Sequence, residues 1–478
     1  MENTSIERIL ALFYDYAAIP HPSGNTAVAA RWVAETAKEA GAEAEIDGTG
    51  NVFIRVPATA GYEDHPTVIL QGHLDMVAAK EPDSPRDPEK EGLLLFREGD
   101  LLGARGTTLG GDDGVAVVMF LALLSEKDAA HPALEILLTV DEETGMDGAD
   151  GFDASKLNGR LLLNLDSEEE GILTAGCAGG TKMHITYPVC REIQKGRLCT
   201  LKIAGASGGH SGMEIIRGGM NANHELAGIL ARLASRLSLS LVSLSGGDKD
   251  NAIPTHATAT FLIGEEEADA LLLAVTDENA RLAKTYGATD PHFTLSLDAG
   301  EVGEHAAIGE EASRRYLDFL AGTPCGVQKM SPALAGLVQT SLNLGVLRNE
   351  KNAIVALWSL RSSVRAEKEE LAARLSAMAE AIGAPVCREG DYPAWEYREN
   401  SPLRDVMTET YRTLFGAEMQ TVVIHAGLEC GIFSSRLPDL DCVSFGPNMY
   451  DIHTTRERLS VSSVERTYRY LLAVLRAI

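Results

Sequence analysis

The sequence predicts an α/β protein in which one domain is interrupted by an inserted α+β domain. Three observations predict it. Short, almost wholly apolar runs ending in His or acid residues alternate with helical patterns in the first 180 residues. That is the signature of buried parallel strands. After about Lys182 the strands and helices become amphipathic, as in a sheet with one exposed face, and from about Asp391 the first pattern returns. The boundaries read as 1–183, 184–389 and 390–478.

At 478 residues and 45% hydrophobic content, the chain is long enough for two or three domains with sizeable cores. Its formal charge of −27 argues against nucleic acid and anionic membranes as partners. Seven cysteines, odd in number and without a Cys-x-x-Cys pair, read as reduced thiols. The opening residues carry no basic and apolar leader, so a cytoplasmic protein is expected.

Taken in order, Ser23–Gly41 reads as a helix capped by Ser23 or Asn25, with Val28, Trp32 and Val33 on its inner face. His21, between two prolines, reads as a surface or packing residue. Strands follow at Asn51–Val56 and Thr67–Leu70, the second running into Gly72-His-Leu-Asp75. Side chains two apart on a strand share a face, so His73 and Asp75 form a metal ligand and its orienting partner, or a structural pair. Glu81–Lys90 reads as a surface excursion.

The turn Gly106-Thr-Thr-Leu-Gly-Gly-Asp-Asp-Gly114 enters the apolar helix Val115–Leu124. It lacks the Lys-Ser/Thr of a phosphate loop. Capping accounts for one aspartate at a helix start more easily than for two. Strand Leu134–Val140 ends in Asp141-Glu-Glu-Thr-Gly145, and strand Leu161–Asp166 ends in another acid. Ligands gather outside the carboxyl ends of such strands, and His73, Glu142, Glu143 and Asp166 all fall there.

In the middle region, strands and helices alternate twice, which reads as a duplicated βα unit. Its candidates are His210 on the glycine loop Ser207-Gly-Gly-His-Ser-Gly212, Asn251 in a turn, and Arg361 closing strand Ala353–Leu360. The last region reads as helix Pro402–Phe415, strand Gln420–Ile424, the stretch His425-Ala-Gly-Leu-Glu-Cys-Gly431, strand Asp441–Phe445, His453 beyond a strand end, and a helix from Ser462.

His73, Asp112, Glu143, Asp166 and His453 are too many ligands for one catalytic zinc, which keeps three protein ligands. They suit two metals roughly 3.5–4 Å apart.

Beyond these residues, the stretches Ile19-Pro-His-Pro-Ser, Gly72-His-Leu-Asp-Met-Val, the Gly106 and Asp141 turns, Asn164-Leu-Asp-Ser-Glu-Glu-Glu-Gly, Gly176-Cys-Ala-Gly-Gly, Gly208-Gly-His-Ser-Gly, Asn251-Ala-Ile-Pro and His425–Gly431 resemble, in order, the di-zinc metallopeptidase family that includes aminoacylase and carboxypeptidase G. The resemblance is strongest to its branch that cleaves Xaa-His dipeptides. It implies a discontinuous catalytic domain with an inserted lid that also serves dimerisation. By this resemblance Asp112 bridges two divalent ions, zinc first with cobalt or manganese as alternatives. His73 and Asp166 complete one ion, Glu143 and His453 the other. Asp75 orients His73, and Glu142 is the general base for a metal-bridging hydroxide. His210 polarises the scissile carbonyl, from its own chain or a partner's, while Arg361, Asn251 and Gly427 hold the substrate carboxylate. Where many relatives have Ala-Asp-Asn this chain has Gly111-Asp112-Asp113, so Asp113 is a second candidate for the bridge.

The expected activity is hydrolysis of small, carnosine-like dipeptides by a cytoplasmic homodimer. An N-acyl-amino-acid amidohydrolase, a broader di- or tripeptidase, and a non-catalytic binding protein of the same fold remain as alternatives.

Overall fold

The computed structural model describes residues 2–126, 129–332 and 334–478, and the chain forms two compact units. The first comprises the chain up to Cys177 with Tyr397–Val423 and Leu428–Ile478; the second comprises Ala178–Glu396 with Ile424–Gly427. The boundary falls at Ala178 because Gly179–Pro188 is already a strand of the second unit's sheet.

The first unit is built on a sheet of eight strands. In spatial order they are Glu43–Ile46, Val52–Val56, Leu134–Thr139, Val68–His73, Leu161–Asn164, Asp441–Ser444, Ile172–Cys177 and Gln420–Ile424. The four from Leu134–Thr139 to Asp441–Ser444 run parallel. Val68–His73 and Leu134–Thr139 are buried at every position, as their apolar runs require. The helix Gly111–Leu123 is likewise buried along its whole length, with no polar face. Each large apolar side chain it buries contributes about 1.5–3 kcal/mol.

The second helix of the chain runs Ala27–Glu39, and its buried face is Ala29, Ala30, Val33, Ala34 and Ala37. Val28, expected inside, is 47% exposed. The small alanines form the contact face instead. Neither Ser23 nor Asn25 caps it; Thr26 occupies the cap position without a side-chain bond. His21 is buried, its ring centroid 4.3 Å from that of Tyr16, which is a packing role.

The second unit holds a nine-stranded antiparallel sheet, eight strands in one path and the ninth, Gly326–Met330, paired to Val338–Asn349 beside it. One half runs, in space, Thr294–Ile308, Arg191–Ala204, Ala257–Ile263, Ser240–Gly246; the other runs Val338–Asn349, Ala353–Ser362, Gly179–Pro188, Val386–Tyr392. Numbered along the chain, each quartet has the order 4-1-3-2, the second as the mirror of the first. They join at Gly246↔Leu347. The unit is therefore two ferredoxin-like motifs in one sheet, with the first motif inserted after the opening strand of the second.

Candidate active site

The parallel register sets the first group of residues. His73 ends its strand opposite Thr139, and Gln71 lies opposite Asn164. The chain beyond Thr139 therefore delivers Glu142 and Glu143, and the chain beyond Asn164 delivers Asp166, to the same edge as His73. Asp141 takes φ 58 to turn into the short Glu142–Gly145 helix. Asp112 lies where the turn enters the buried helix, and neither it nor Asp113 has helical backbone angles. His453 sits at φ 61 between the strands Met449–Tyr450 and Arg458–Ser460. A left-handed backbone is uncommon for a residue with a side chain and recurs at functional sites.

These side chains converge. Asp112 Oδ1 lies 3.1 Å from His73 Nε2, and its Oδ2 lies 3.1 Å from His453 Nε2. Behind the histidines, Asp166 Oδ1 is 3.6 Å from His73 Nε2 and Glu143 Oε1 is 2.9 Å from His453 Nε2. Ligand-type atoms of Asp112, Glu143 and His453 lie within 4.8 Å of one another, as do those of His73, Asp113 and Asp166, and those of His73, Glu142 and Glu143. Asp113 belongs to the group with His73 and Asp166 and not to the one with His453. Its Oδ2 accepts the His73 backbone N–H at 3.2 Å and fills the space above Gly72, where a Cβ would come within 2.4 Å of it.

Electrostatically the group calls for positive charge. Burial opposes a charged His453, but hydrogen bonds to Asp112 and Glu143 outweigh it and push its pKa up to about 11. His73 is also raised, burial being overcome by Asp112, Asp166 and Asp75. Burial and then the charge of Asp166 lift Glu142 well above the ordinary range, and burial, Asp112 and Asp166 push Glu168 up to about 8. The mixed nitrogen and oxygen donors fit divalent transition-metal ions, which would relieve this crowding.

Asp75 serves two elements. Its backbone carbonyl, 3.0 Å from His73 Nδ1, is nearer that ring than its carboxylate at 3.5 Å. A Nδ1–H donated there leaves Nε2 free to ligate. The carboxylate is taken by the backbone N–H groups of Glu142 and Glu143 at 3.1 and 3.3 Å and by Ser23 Oγ at 2.8 Å. Ser23 thus supports the site rather than capping a helix.

Two carboxylates that sequence reasoning gave no role also stand here. Glu457 accepts the backbone N–H groups of Leu109, Gly110, Gly111 and Asp112. Glu429 lies beneath the strand ends, where Thr139 Oγ1 donates to it at 2.6 Å and Gln71 Nε2 donates as well. Burial pushes Glu429 up to about 8. A carboxyl raised from an unfolded value near 4.5 to about 8 keeps its full contribution below the unfolded value and loses stability as pH rises through that window. Glu429→Gln removes the dependence. Between pH 5 and pH 9 the chelated variant should gain on chelated wild type by on the order of 4 kcal/mol, read by denaturant titration. Parallel stability profiles for the two proteins would show that Glu429 does not titrate there.

The remaining predicted residues lie in the second unit. The His210 loop pairs with the Asn251 turn through Ser211 N to Asn251 O at 2.8 Å and Ile253 N to Gly209 O at 2.8 Å. His210 Nδ1 accepts the Met213 N–H at 3.1 Å. Arg361 Nη1 donates to the Tyr392 hydroxyl at 3.0 Å, and Arg361 stands directly across the sheet from Ser341. Ser341 Oγ is 2.8 Å from Nε2 of His425, which lies with Gly427 in the segment Ile424–Gly427. Burial and the Arg361 charge push His425 down to about 3, so it is neutral. The same two causes lower His210. His425, although within the His425–Gly431 stretch, and Tyr392 carried no role in the sequence because no motif spacing connects either to Arg361.

Comparison with known proteins accords with this geometry. The chain is 37% identical to the cytosol non-specific dipeptidase of Escherichia coli (strain K12), over 98% of this chain and 96% of that protein. It superposes on the crystal structure of aminoacylhistidine dipeptidase from Vibrio alginolyticus with a TM-score of 0.90 at 36% identity, covering 98% and 96% of the two chains. Aminopeptidase PepT from Bacillus cereus shares the fold, with a TM-score of 0.58 at 15% identity over 99% and 98%. Residues 69–477 match the sequence profile of peptidase family M20/M25/M40, and the chain belongs to that family.

Proposed function

We propose that the protein is a metal-dependent dipeptidase that works with two divalent cations, zinc in the first instance. The observation that carries this reading is Asp112, whose two carboxylate oxygens face two different histidines at 3.1 Å each. In this reading Asp112 bridges the ions, His73 and Asp166 hold one, and Glu143 and His453 hold the other. Asp113, engaged by the His73 backbone, is a packing acid. When bound, the cations polarise the scissile carbonyl and lower the pKa of a water.

The chain's own groups do the rest. Glu142 takes the proton of the attacking water and passes it to the leaving amine. Asp75 fixes the His73 tautomer and, through two backbone N–H bonds, the turn carrying Glu142. His210 polarises the peptide carbonyl. Arg361, with Asn251 and Gly427, holds the C-terminal carboxylate, for which its planar fork is suited. The first unit serves as the catalytic domain and the second as the lid, with boundaries at Ala178 and Tyr397 in place of the expected 184 and 390, in a cytoplasmic homodimer; the cytosolic Escherichia coli relative supports the compartment.

The preferred substrates are Xaa-His dipeptides, following the Vibrio relative, and the non-specific Escherichia coli relative favours a wider dipeptide range as the second reading. Hydrolysis of alanyl-histidine, carnosine, alanyl-leucine and their N-acetyl forms tests this. A site that pairs the free amine should reject the acetylated forms by about 10⁴-fold. Comparable cleavage of N-acetyl substrates would make the protein an amidohydrolase instead.

A further inference from the structure

Glu457 follows His453 by four residues and is 3% exposed. Its Oε2 accepts the backbone N–H groups of Leu109 at 2.7 Å and Gly110 at 3.2 Å; its Oε1 accepts those of Gly111 at 2.8 Å and Asp112 at 3.4 Å. These are consecutive donors at the start of the buried helix, the groups a helix leaves unpaired and a carboxylate best satisfies. The turn is shaped around this acid. Gly110 takes φ 66, and a Cβ at Gly111 would lie 3.2 Å from Glu457 Oε1 and 3.4 Å from Met449 Sδ.

The last donor in the cradle belongs to Asp112, and Glu457 rides on the same connection as His453. That connection runs between Met449–Tyr450 and Arg458–Ser460, which pair with each other and, through Arg458–Ser460, with Leu101–Ala104. The His453 side chain is 45% exposed, so surrounding packing does little to fix its imidazole. His73, by contrast, ends a fully buried strand.

We propose that Glu457 is a positioning residue that locks the Asp112 turn to the His453 connection and so sets the affinity of the cation position formed by Asp112, Glu143 and His453. The position of His73 and Asp166 shares Asp112, but its other two ligands are set by strand register, so it depends on Glu457 less. This rests on the two-cation reading above.

Glu457→Gln keeps the shape but turns an amide N–H₂ toward backbone donors, and Glu457→Asp keeps the charge on a shorter arm. Chelated wild type and both variants are titrated with Zn²⁺, and amide hydrogen exchange is followed at residues 109–112. For Glu457→Gln the second ion should bind about 10–100-fold more weakly and the first should lose distinctly less. Exchange at 109–112 should accelerate, and kcat should fall about tenfold or more with KM little changed. Glu457→Asp should restore part of the lost affinity. Wild-type affinity for both ions, or equal weakening of both, would leave Glu457 a structural cap and overturn the proposal. If the amide variant does not fold, wild-type affinity of both ions in Glu457→Asp overturns it equally. If wild type itself takes up fewer than two ions, the two-cation reading falls and this proposal with it.

Discussion

Replacing Glu142 with Gln is expected to lower kcat by about 10²–10⁴-fold while both bound metal ions are retained. The carboxylate sits one residue before the proposed ligand Glu143, on a turn held by two backbone hydrogen bonds to Asp75. Those bonds use the Glu142 and Glu143 main chain, so an isosteric amide leaves the turn in place. What it removes is an atom able to accept a proton from water and release it to an amine. Steady-state kinetics with elemental analysis of the same preparation separates the outcomes. Loss of an ion along with activity would make Glu142 a ligand, consistent with its proximity to His73 and Glu143. Full activity would move the general base elsewhere.

Metal removal is the other large effect. Asp112, Asp166, Glu142, Glu143 and Glu168 are concentrated at one edge of the sheet, and the ion pairs the cluster makes are with His73 and His453. Without the cations, those imidazoles carry the positive charge the site calls for. A protonated histidine cannot ligate, and polarisation of the carbonyl is lost with the ions. Chelation should therefore reduce turnover by at least about 10³-fold, with recovery on adding Zn²⁺, Co²⁺ or Mn²⁺. Acidification should mimic it, because protons compete for the same two imidazoles.

Much of this site was legible in the sequence because parallel strands express themselves in consecutive residues. An apolar run ending in His73, Glu142 or Asp166 announces both a buried strand and what stands at its end. The aspartate proposed to bridge was legible only as one of two neighbours. The structure places them differently: Asp112 faces both histidines, whereas Asp113 accepts the His73 N–H and groups with His73 and Asp166.

The supporting carboxylates were not legible for a physical reason. The partners of Glu457 are main-chain N–H groups more than 340 residues away, and a backbone donor leaves no mark in a sequence. Ser23 has the form of a helix cap and was read as one, yet its hydroxyl is used by Asp75. The long antiparallel arms Arg191–Ala204 and Thr294–Ile308 are only partly legible in the sequence. Their outer halves are largely exposed and contain Gly196, Gly300 and Gly303, so pairing with each other, and not apolar pattern, makes them strands. The mirrored strand order of the second unit explains why the alternation of helix and strand appeared twice.

The measurement that tests the central claim most directly is metal content per chain on purified protein, paired with cleavage of alanyl-histidine before chelation, after it and after restoring Zn²⁺. The account predicts about two ions per chain, loss of cleavage with their removal and recovery with their return. Cleavage that survives complete removal of metal would contradict it.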